Sequence, residues 1–328
     1  MSQPRIAVPR VAVLGAGSFG KNHIRIIHEA ADVHLSGILD SDPARSAAVA
    51  AERGCPVFST LEEVAAASDA AIIATPTITH ADFGCRLMEL GCDVLVEKPI
   101  SHDEASGQRL VDTAKRTGRI LQVGHLERFN PAITALTKVV TTPLFFEIHR
   151  MSEFSPRSLD VDVVLDLMTH DLDIVLSLTK AMPEEIRAAG IHVMSDRVDI
   201  ANVRLQFPGG CVANLTASRV STERVRKLRL FQPREYISLD YSRQDGTRFS
   251  VGENRNISFA PLAATKSEPL RLELEDFFDC IRTRREPVVT GIQALSALTV
   301  ARAILDKIEE HSALVAKGLV AQHVPGTS

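Results

Sequence analysis

Asp166 and His170 are the residues whose types and spacing most directly suggest chemistry. They lie four positions apart in the apolar stretch Val163–Ile174, and in a helix that spacing places both on one face. A carboxylate one turn away can orient an imidazole and stabilise its charged form, which suits a general base. A structural Asp–His pair has the same pattern, so the residues alone leave both interpretations open.

Lys98 is the second candidate, because Glu97-Lys98-Pro99 directly follows the apolar run 93–96. An ammonium group at the end of a buried strand can hydrogen-bond an oxygen of a bound substrate. Pro99 biases Lys98 towards an extended conformation and makes a cis bond possible. The alternative is a solvated surface lysine.

A glycine-rich turn supplies the third element of the predicted site. Gly15-Ala16-Gly17-Ser18-Phe19-Gly20 follows the apolar run Val11–Leu14 and precedes a helical pattern. Such a turn lets a pyrophosphate approach the backbone at a helix N-terminus. Asp40 lies 40 − 20 = 20 residues beyond Gly20, where an acidic side chain hydrogen-bonds a ribose and repels a 2′-phosphate. The pattern predicts NAD rather than NADP, against the alternative of a glycine turn without a cofactor.

Further polar residues follow the other predicted strands. Ligands of open parallel sheets bind at the carboxyl ends of the strands. Thr75 and Thr77 follow the run 69–74, and His125 follows the run 120–123. Arg128, slightly beyond, is a candidate for an anionic or hydroxyl-rich ligand.

The elements that must position these residues fall into two groups. Up to residue 123, short apolar runs alternate with helical patterns, which predicts a doubly wound parallel sheet of six strands that includes a short one at 56–58. Beyond residue 124 come helices near 131–139 and 161–178, and a strand at 144–151. Strand-like runs between 185 and 251, separated by turn signals, predict an open, mostly antiparallel sheet. Two further helices are predicted after these runs, at 270–283 and 294–311.

The fold class is therefore predicted as α/β, with a Rossmann domain over residues 1–125 and a second α/β domain over residues 126–328. The second domain is expected to bind substrate and to mediate oligomerisation. The two C-terminal helices could pack back on the first domain.

The composition and net charge of the chain limit the kinds of partner and the location that are expected. The chain has 328 residues and a net charge of −4, which favours neither nucleic acid nor an anionic membrane as a partner. No apolar run approaches the roughly 18 residues of a membrane span, and the first strand begins too early for a signal peptide. The cytoplasm is the expected location. The five scattered cysteines are expected to be buried thiols, and no clustered ligand pattern predicts a metal.

Taken together, the motifs resemble those of the glucose–fructose oxidoreductase, inositol dehydrogenase and rhizopine-catabolism (Gfo/Idh/MocA) family. The resemblance rests on the glycine motif, Thr75-Pro76 with His80, Glu97-Lys98-Pro99 and Asp166-x-x-x-His170. It implies that Lys98, Asp166 and His170 are catalytic, and that a sugar, cyclitol or sugar-nucleotide hydroxyl is oxidised or reduced. It also implies an open sheet that mediates dimer or tetramer contacts. The implied cofactor contacts are Gly15, Gly17, Ser18, Phe19, Gly20, Asp40, Thr75, Pro76, Thr77, His80, Glu97 and Lys98.

A narrower resemblance concerns the substrate. The stretches Val123–Ala132 and Asp166–Asp173 are similar to those of the UDP-N-acetylglucosamine 3-dehydrogenase branch. That branch oxidises the 3-hydroxyl to a ketone for later transamination, towards lipid A or other surface glycans. The implied substrate contacts are Lys98, His125, Arg128, Asn130, Asp166 and His170.

Three alternatives remain open at this point. Within the class, the chain could be an inositol or free-sugar dehydrogenase, or a UDP-N-acetylglucosaminuronate 3-dehydrogenase. Outside it, the chain could be an NAD-bound regulator. A regulator has no need of Lys98, Asp166 and His170 together, so their joint presence argues against that interpretation.

Overall fold

The structure is a computed structural model that describes residues 8–155 and 161–322. The chain divides into two units, which are described separately below. Unit 1 lies within Met1–Phe129 and Ser267–Leu295, and unit 2 within Asn130–Lys266 and Ser296–Ser328. The sequence predicts one domain over residues 1–125 and a second over residues 126–328. In the structure, the segment 267–295 belongs to unit 1.

Unit 1 is built on a parallel sheet of five strands in the order β2-β1-β3-β4-β5. The strands are β1 (Arg10–Leu14), β2 (His34–Leu39), β3 (Ala70–Ile73), β4 (Asp93–Glu97) and β5 (Leu121–Gly124). Most of their residues are buried, as expected for a parallel sheet that is covered on both faces. The strand order reverses beside β1, so the glycine-rich turn lies at the switch point where such sheets bind dinucleotides.

Five helices connect or follow these strands. They are α1 (Ser18–Glu29), α2 (Pro43–Arg53), α3 (Leu61–Ala67), α4 (His80–Glu89) and α5 (Glu104–Thr117). Asp42 caps α2 by accepting from the N–H groups of Ala44 and Arg45. The Thr79 side chain, directly before α4, does not cap this helix, because its hydroxyl donates to the Pro76 carbonyl at 2.8 Å.

Unit 2 is built on a sheet of eight strands in the order β13-β12-β11-β10-β6-β9-β8-β7. Helix α6 (Pro131–Thr137) precedes β6 (Phe145–Met151), and a π-helical segment (Val164–Met168) leads into α7 (Thr169–Thr179). The later strands are β7 (Glu185–Ile191), β8 (Ile200–Gln206), β9 (Val212–Ser218), β10 (Val225–Gln232), β11 (Glu235–Asp240), β12 (Asp245–Val251) and β13 (Ile257–Pro261). Only β6 and β9 pair in parallel, so the prediction of a mostly antiparallel sheet is confirmed.

Two helices follow the second sheet, α8 (Pro269–Thr283) and α9 (Gly291–Gln322). The apolar face of α8, with Leu274, Phe277 and Ile281, belongs to the buried core of unit 1. This packing explains why the segment lies with unit 1 although it follows unit 2 in the chain. No described helix contains an apolar stretch long enough to cross a membrane.

The α/β fold class is confirmed, with three differences in detail. The expected strand at 56–58 is a single bridge between Ile38 and Val57, so the parallel sheet has five strands. Strand β13 lies beyond residue 251, where the predicted strand-like runs end, and all of its residues are exposed. Cys55 and Cys85 are only partly buried, whereas the other three cysteines are buried as expected.

Candidate active site

The glycine-rich turn joins β1 to α1 in unit 1. A Cβ atom on Gly20 would lie 1.8 Å from the Gly15 carbonyl oxygen, so only glycine lets the helix approach the turn this closely. At Gly17, by contrast, an added Cβ would meet no atom within 4 Å. The space in front of Gly17 and the exposed Ser18 and Phe19 at the start of α1 fit the approach of a pyrophosphate.

Asp40 fixes the end of β2 against this turn. Its carboxylate accepts the N–H of Ala16 at 2.6 Å and the N–H of Asp42 at 2.8 Å. The Arg45 guanidinium lies 3.5 Å from the same carboxylate. Asp40 therefore stands where an adenosine ribose is expected, beside the turn that would bind the pyrophosphate. The residues of this site fit a dinucleotide.

The His80 side chain links the segments that follow β3 and β4. One ring nitrogen lies 2.9 Å from the Thr75 carbonyl oxygen and the other 3.0 Å from that of Pro99. His80 is almost fully buried, and this burial lowers the pKa of its imidazole. Because His80 is occupied by these backbone contacts, the structure gives it the role of holding the strand ends that carry Thr75 and Lys98.

Lys98 follows β4 and is half-buried, and Lys98–Pro99 is a cis peptide bond. Glu97, directly before it, is buried and lies 2.6 Å from Nε2 of His23 on α1. Sequence reasoning did not single out His23, although a histidine on the buried face of the helix after the glycine turn was a possible signal.

The segment after β5 holds the remaining predicted contacts. His125 is buried, and the half-buried Arg128 donates to the Val288 carbonyl at 3.2 Å within unit 1. Asn130, in unit 2, is only 3% exposed. Its side chain caps α6 through the N–H of Ala132 at 3.1 Å and donates to the Tyr241 carbonyl at 3.0 Å. These bonds give the Asn130 amide a role in the fold of unit 2, and its substrate contact stays a prediction.

Asp166 and His170 lie in unit 2, and both are half-buried. The sequence predicts a regular helix over 161–178, but residues 164–168 form a π-helical turn. The Thr169 N–H closes this turn by binding the Val164 carbonyl, five residues back. The Thr169 hydroxyl binds the same carbonyl at 2.9 Å and that of Leu165 at 3.0 Å. The widened turn carries Asp166 and ends at Met168, two residues before His170, and such turns occur frequently at functional sites.

A buried ion pair supports the start of α7. Arg150 of β6 binds Asp171 through two hydrogen bonds of 2.8 Å, and the two side chains are 1% and 2% exposed. The Arg150 guanidinium carbon also lies 5.0 Å from the centre of the Tyr241 ring. The pair fixes the backbone next to His170. No local pattern indicates a role for Arg150, which lies 21 positions from Asp171 along the chain.

Comparisons with known proteins agree with these features. Residues 9–125 match the model of an oxidoreductase family with an NAD-binding Rossmann fold, and residues 138–234 match the C-terminal domain of the same Gfo/Idh/MocA family. A UDP-N-acetylglucosamine 3-dehydrogenase of Acidithiobacillus ferrooxidans is 35% identical over 92% of this chain and 97% of that protein. An inositol 2-dehydrogenase of Rhizobium meliloti is 27% identical over 92% of this chain and 97% of that protein.

A solved structure shows the same fold throughout. A crystal form of the Acidithiobacillus ferrooxidans UDP-N-acetylglucosamine 3-dehydrogenase superposes with a TM-score of 0.88. It covers 93% of this chain and 99% of that one, at 33% identity. The chain belongs to the Gfo/Idh/MocA oxidoreductase family, and its first domain is an NAD-binding Rossmann domain.

Proposed function

We propose that the protein oxidises C3 of UDP-N-acetylglucosamine with NAD and produces the 3-keto sugar nucleotide. The observation that carries this proposal is the similarity, along nearly the whole chain, to a protein with that activity. The presence of Lys98, Asp166 and His170 supports it, because a dehydrogenase needs a proton acceptor and a group that stabilises the oxygen. The keto product would then suit transamination, on a route to lipid A or another surface glycan.

The proposed roles follow from the chemistry of each side chain. His170 accepts the hydroxyl proton of the sugar, and Asp166 orients the imidazole and balances its charge. Lys98 donates a hydrogen bond to the same oxygen as negative charge develops on it. NAD, when bound, supplies the hydride acceptor. The substrate carbon thus loses a hydride to NAD and its hydroxyl oxygen loses a proton to His170, so that a ketone forms.

A second candidate is an inositol or free-sugar dehydrogenase. The similarity to the Rhizobium meliloti inositol 2-dehydrogenase favours it, since that match also extends along most of the chain. The identity is lower, 27% against 35%, so we place this candidate second.

A substrate panel tests the proposal. NAD reduction would be measured with UDP-N-acetylglucosamine, its uronate, myo-inositol and free hexoses, with an aminotransferase or a ketone trap to draw the equilibrium forward. We expect turnover of UDP-N-acetylglucosamine. Turnover of myo-inositol alone would reject the sugar-nucleotide substrate and leave the oxidoreductase class unaffected.

Single and double variants test the catalytic roles. His170→Ala and Lys98→Ala should each lower kcat by about 10²- to 10⁴-fold, the usual contribution of a positioned proton-transfer group. If both groups act on one hydroxyl, the double variant should lose far less than the product of the two effects. If His170→Ala keeps near wild-type kcat, His170 is not the base, and the Asp166–His170 pair has a structural role.

We also propose a cytoplasmic homodimer or homotetramer that forms through the outer face of the unit 2 sheet. Aromatic side chains lie in one row across five neighbouring strands of that face: Phe145, Phe231, Tyr236, Phe249 and Phe259. Phe259, on the edge strand, is 67% exposed, and exposed apolar rows of this kind mark protein contacts. Sedimentation analysis should give a mass of two or four chains, and Phe259→Lys should lower it. A monomeric wild type would refute the oligomer.

A further inference from the structure

In unit 2, the segment that leads into the π-helical turn is bonded to the main chain of Val198, just before β8. Oδ1 of Asp162 accepts the Val198 N–H at 2.9 Å, and the Val163 N–H donates to the Val198 carbonyl at 2.9 Å. Val163 and Val198 are buried, and Asp162 is half-buried. Both main-chain groups of Val198 therefore hold the beginning of the helical segment.

Val198 can serve as a fixed point because its neighbour Asp199 is bonded on several sides. One carboxylate oxygen of Asp199, Oδ2, accepts the main-chain N–H groups of residues 193–195 at 2.7–3.0 Å. The other, Oδ1, accepts the Ser195 hydroxyl at 2.7 Å. The Asp199 N–H binds the Ile191 carbonyl at 3.0 Å, and Asp199 is 0% exposed. These bonds tie the end of β7 and the following loop to the start of β8.

Arg219 joins this fixed point to the helical segment. It follows β9 and is 6% exposed, and its guanidinium lies 3.3 Å from the Asp199 carboxylate. The guanidinium also donates to the Val198 carbonyl at 3.1 Å and to the Val161 carbonyl. Val161 and Val198 lie in the two segments that the Asp162 side chain connects. A buried guanidinium and a carboxylate therefore hold the same junction.

The junction is linked directly to the main chain of Asp166. The Asp166 N–H donates to the Asp162 carbonyl at 3.0 Å. Asp162 thus binds Val198 through its side chain and Asp166 through its main chain. A shift of Asp162 is therefore passed to the backbone that carries the Asp166 carboxylate.

We propose that Asp162 is a positioning residue for Asp166 and acts through the bond of its carboxylate to the Val198 N–H. Without that bond, the first turn of the segment loses an attachment to the start of β8, and Asp166 is displaced relative to His170. A displacement of about 1 Å in a catalytic group lowers the rate by up to about 100-fold. The inference rests on the proposed catalytic role of Asp166.

Asp162→Ala and Asp162→Asn test the inference as a pair. The alanine variant lacks an acceptor for the Val198 N–H, whereas the amide oxygen of the asparagine variant can still accept it. We expect kcat of Asp162→Ala to fall about 10- to 100-fold, and kcat of Asp162→Asn to stay within about threefold of wild type. The Kd for NAD should be unchanged in both variants, because the glycine-rich turn and Asp40 lie in unit 1.

Gln232→Ala is the matched control, because it removes a side-chain contact with the main chain at the opposite end of the same sheet. Oε1 of Gln232 accepts the Thr141 N–H at 2.8 Å, and Gln232 is 4% exposed. Gln232 ends β10 near the beginning of β6, whereas Arg219 follows the residue of β9 that pairs with the end of β6. Gln232→Ala should lose at least as much resistance to denaturant as Asp162→Ala and keep wild-type kcat.

A second measurement needs no substrate. Amide hydrogen exchange over residues 163–170 should become about fivefold faster in Asp162→Ala, the effect of one lost hydrogen bond on a local opening equilibrium. Asp162→Asn and Gln232→Ala should exchange at the wild-type rate in this segment. The exchange data therefore show whether the Asp162 side chain anchors the segment, and the kcat data show whether the anchor positions Asp166.

Four results would overturn the inference. They are wild-type exchange over residues 163–170 in Asp162→Ala, faster exchange with wild-type kcat, an Asp162→Asn variant as impaired as Asp162→Ala, and an equal loss of kcat in Gln232→Ala. The third result would mean that the charge of Asp162 matters and not its bond to Val198.

Failure of the proposed function gives a different result. If Asp166→Ala keeps wild-type kcat, Asp166 is not catalytic and the positioning role falls with it, whereas the exchange measurement still shows whether the segment is anchored. If UDP-N-acetylglucosamine is not turned over, kcat is measured with whichever compound of the panel is oxidised.

Discussion

The two units contain buried carboxyl groups that are satisfied in opposite ways. In unit 2, Asp171 beside His170 is paired, with two hydrogen bonds of 2.8 Å to Arg150. In unit 1, Glu273 is buried on α8, and neither of its carboxyl oxygens has a partner among the described residues. Both groups are almost completely excluded from solvent.

The paired carboxylate of Asp171 fixes the backbone, whereas the unpartnered carboxyl group of Glu273 holds a proton. A bidentate ion pair satisfies both charges and holds two elements in one register, here β6 and the start of α7. A buried carboxyl without partners contributes no such contact, and its natural form is the neutral acid. We therefore expect loss of Asp171 to lower the free energy of unfolding throughout the neutral pH range. The effect of Glu273 on the free energy of unfolding should instead depend on the pH at which it ionises.

The largest expected effect is that of Asp171→Ala. It removes two hydrogen bonds of 2.8 Å and a negative charge from the Arg150 guanidinium, which is only 1% exposed. Breaking such a pair costs about 3–5 kcal/mol of the free energy of unfolding. Chemical denaturation of wild type and variant at pH 7 measures this loss.

Two controls sharpen the comparison between the units. Glu185→Ala removes an exposed ion pair with Arg187 in unit 2 and should cost less than about 1 kcal/mol. Glu273→Gln in unit 1 should also stay within about 1 kcal/mol at neutral pH, because no paired charge is lost. An Asp171→Ala variant no less stable than Glu185→Ala would contradict the view that the buried pair fixes α7.

Most of the fold could be predicted from local patterns. The strand, glycine turn and helix of residues 10–29 combine apolar periodicity with a clear turn signal, and the structure forms all three in this order. The edge strand β13 was missed because none of its residues is buried. Strand prediction relies on alternating burial, and an edge strand can form from backbone hydrogen bonds alone.

The site was harder to predict than the fold. Asp166 and His170 stood out because polar groups in an apolar helix must find partners. The sequence does not show that Asn130 is used to cap α6, since a buried capping amide and a ligand-binding amide have the same residue type. Arg150 and Glu273 depend on partners 21 and more than 100 positions away along the chain, so only the folded structure identifies their roles.

A smaller effect than that of Asp171→Ala is expected at the π-helical turn, which extends the comparison from ion pairs to a single hydroxyl. Thr169 is buried, and its hydroxyl binds the carbonyl oxygens of Val164 and Leu165. Thr169→Val keeps the shape and removes these bonds, so it should cost about 1 kcal/mol. Because the turn carries Asp166, we also expect kcat to fall roughly 10-fold or more, as small displacements of catalytic groups do.

The matched control for Thr169→Val is Thr179→Val at the other end of α7. The Thr179 hydroxyl makes the same kind of bond, 2.9 Å to the Val175 carbonyl, far along the helix from Asp166. Thr179→Val should lose similar stability and keep wild-type kcat, and Thr169→Ser should restore both quantities because it retains the hydroxyl. Equal kcat in Thr169→Val and Thr179→Val would mean that the turn does not position Asp166. The π-helical geometry would then be only a local feature of the packing against β9.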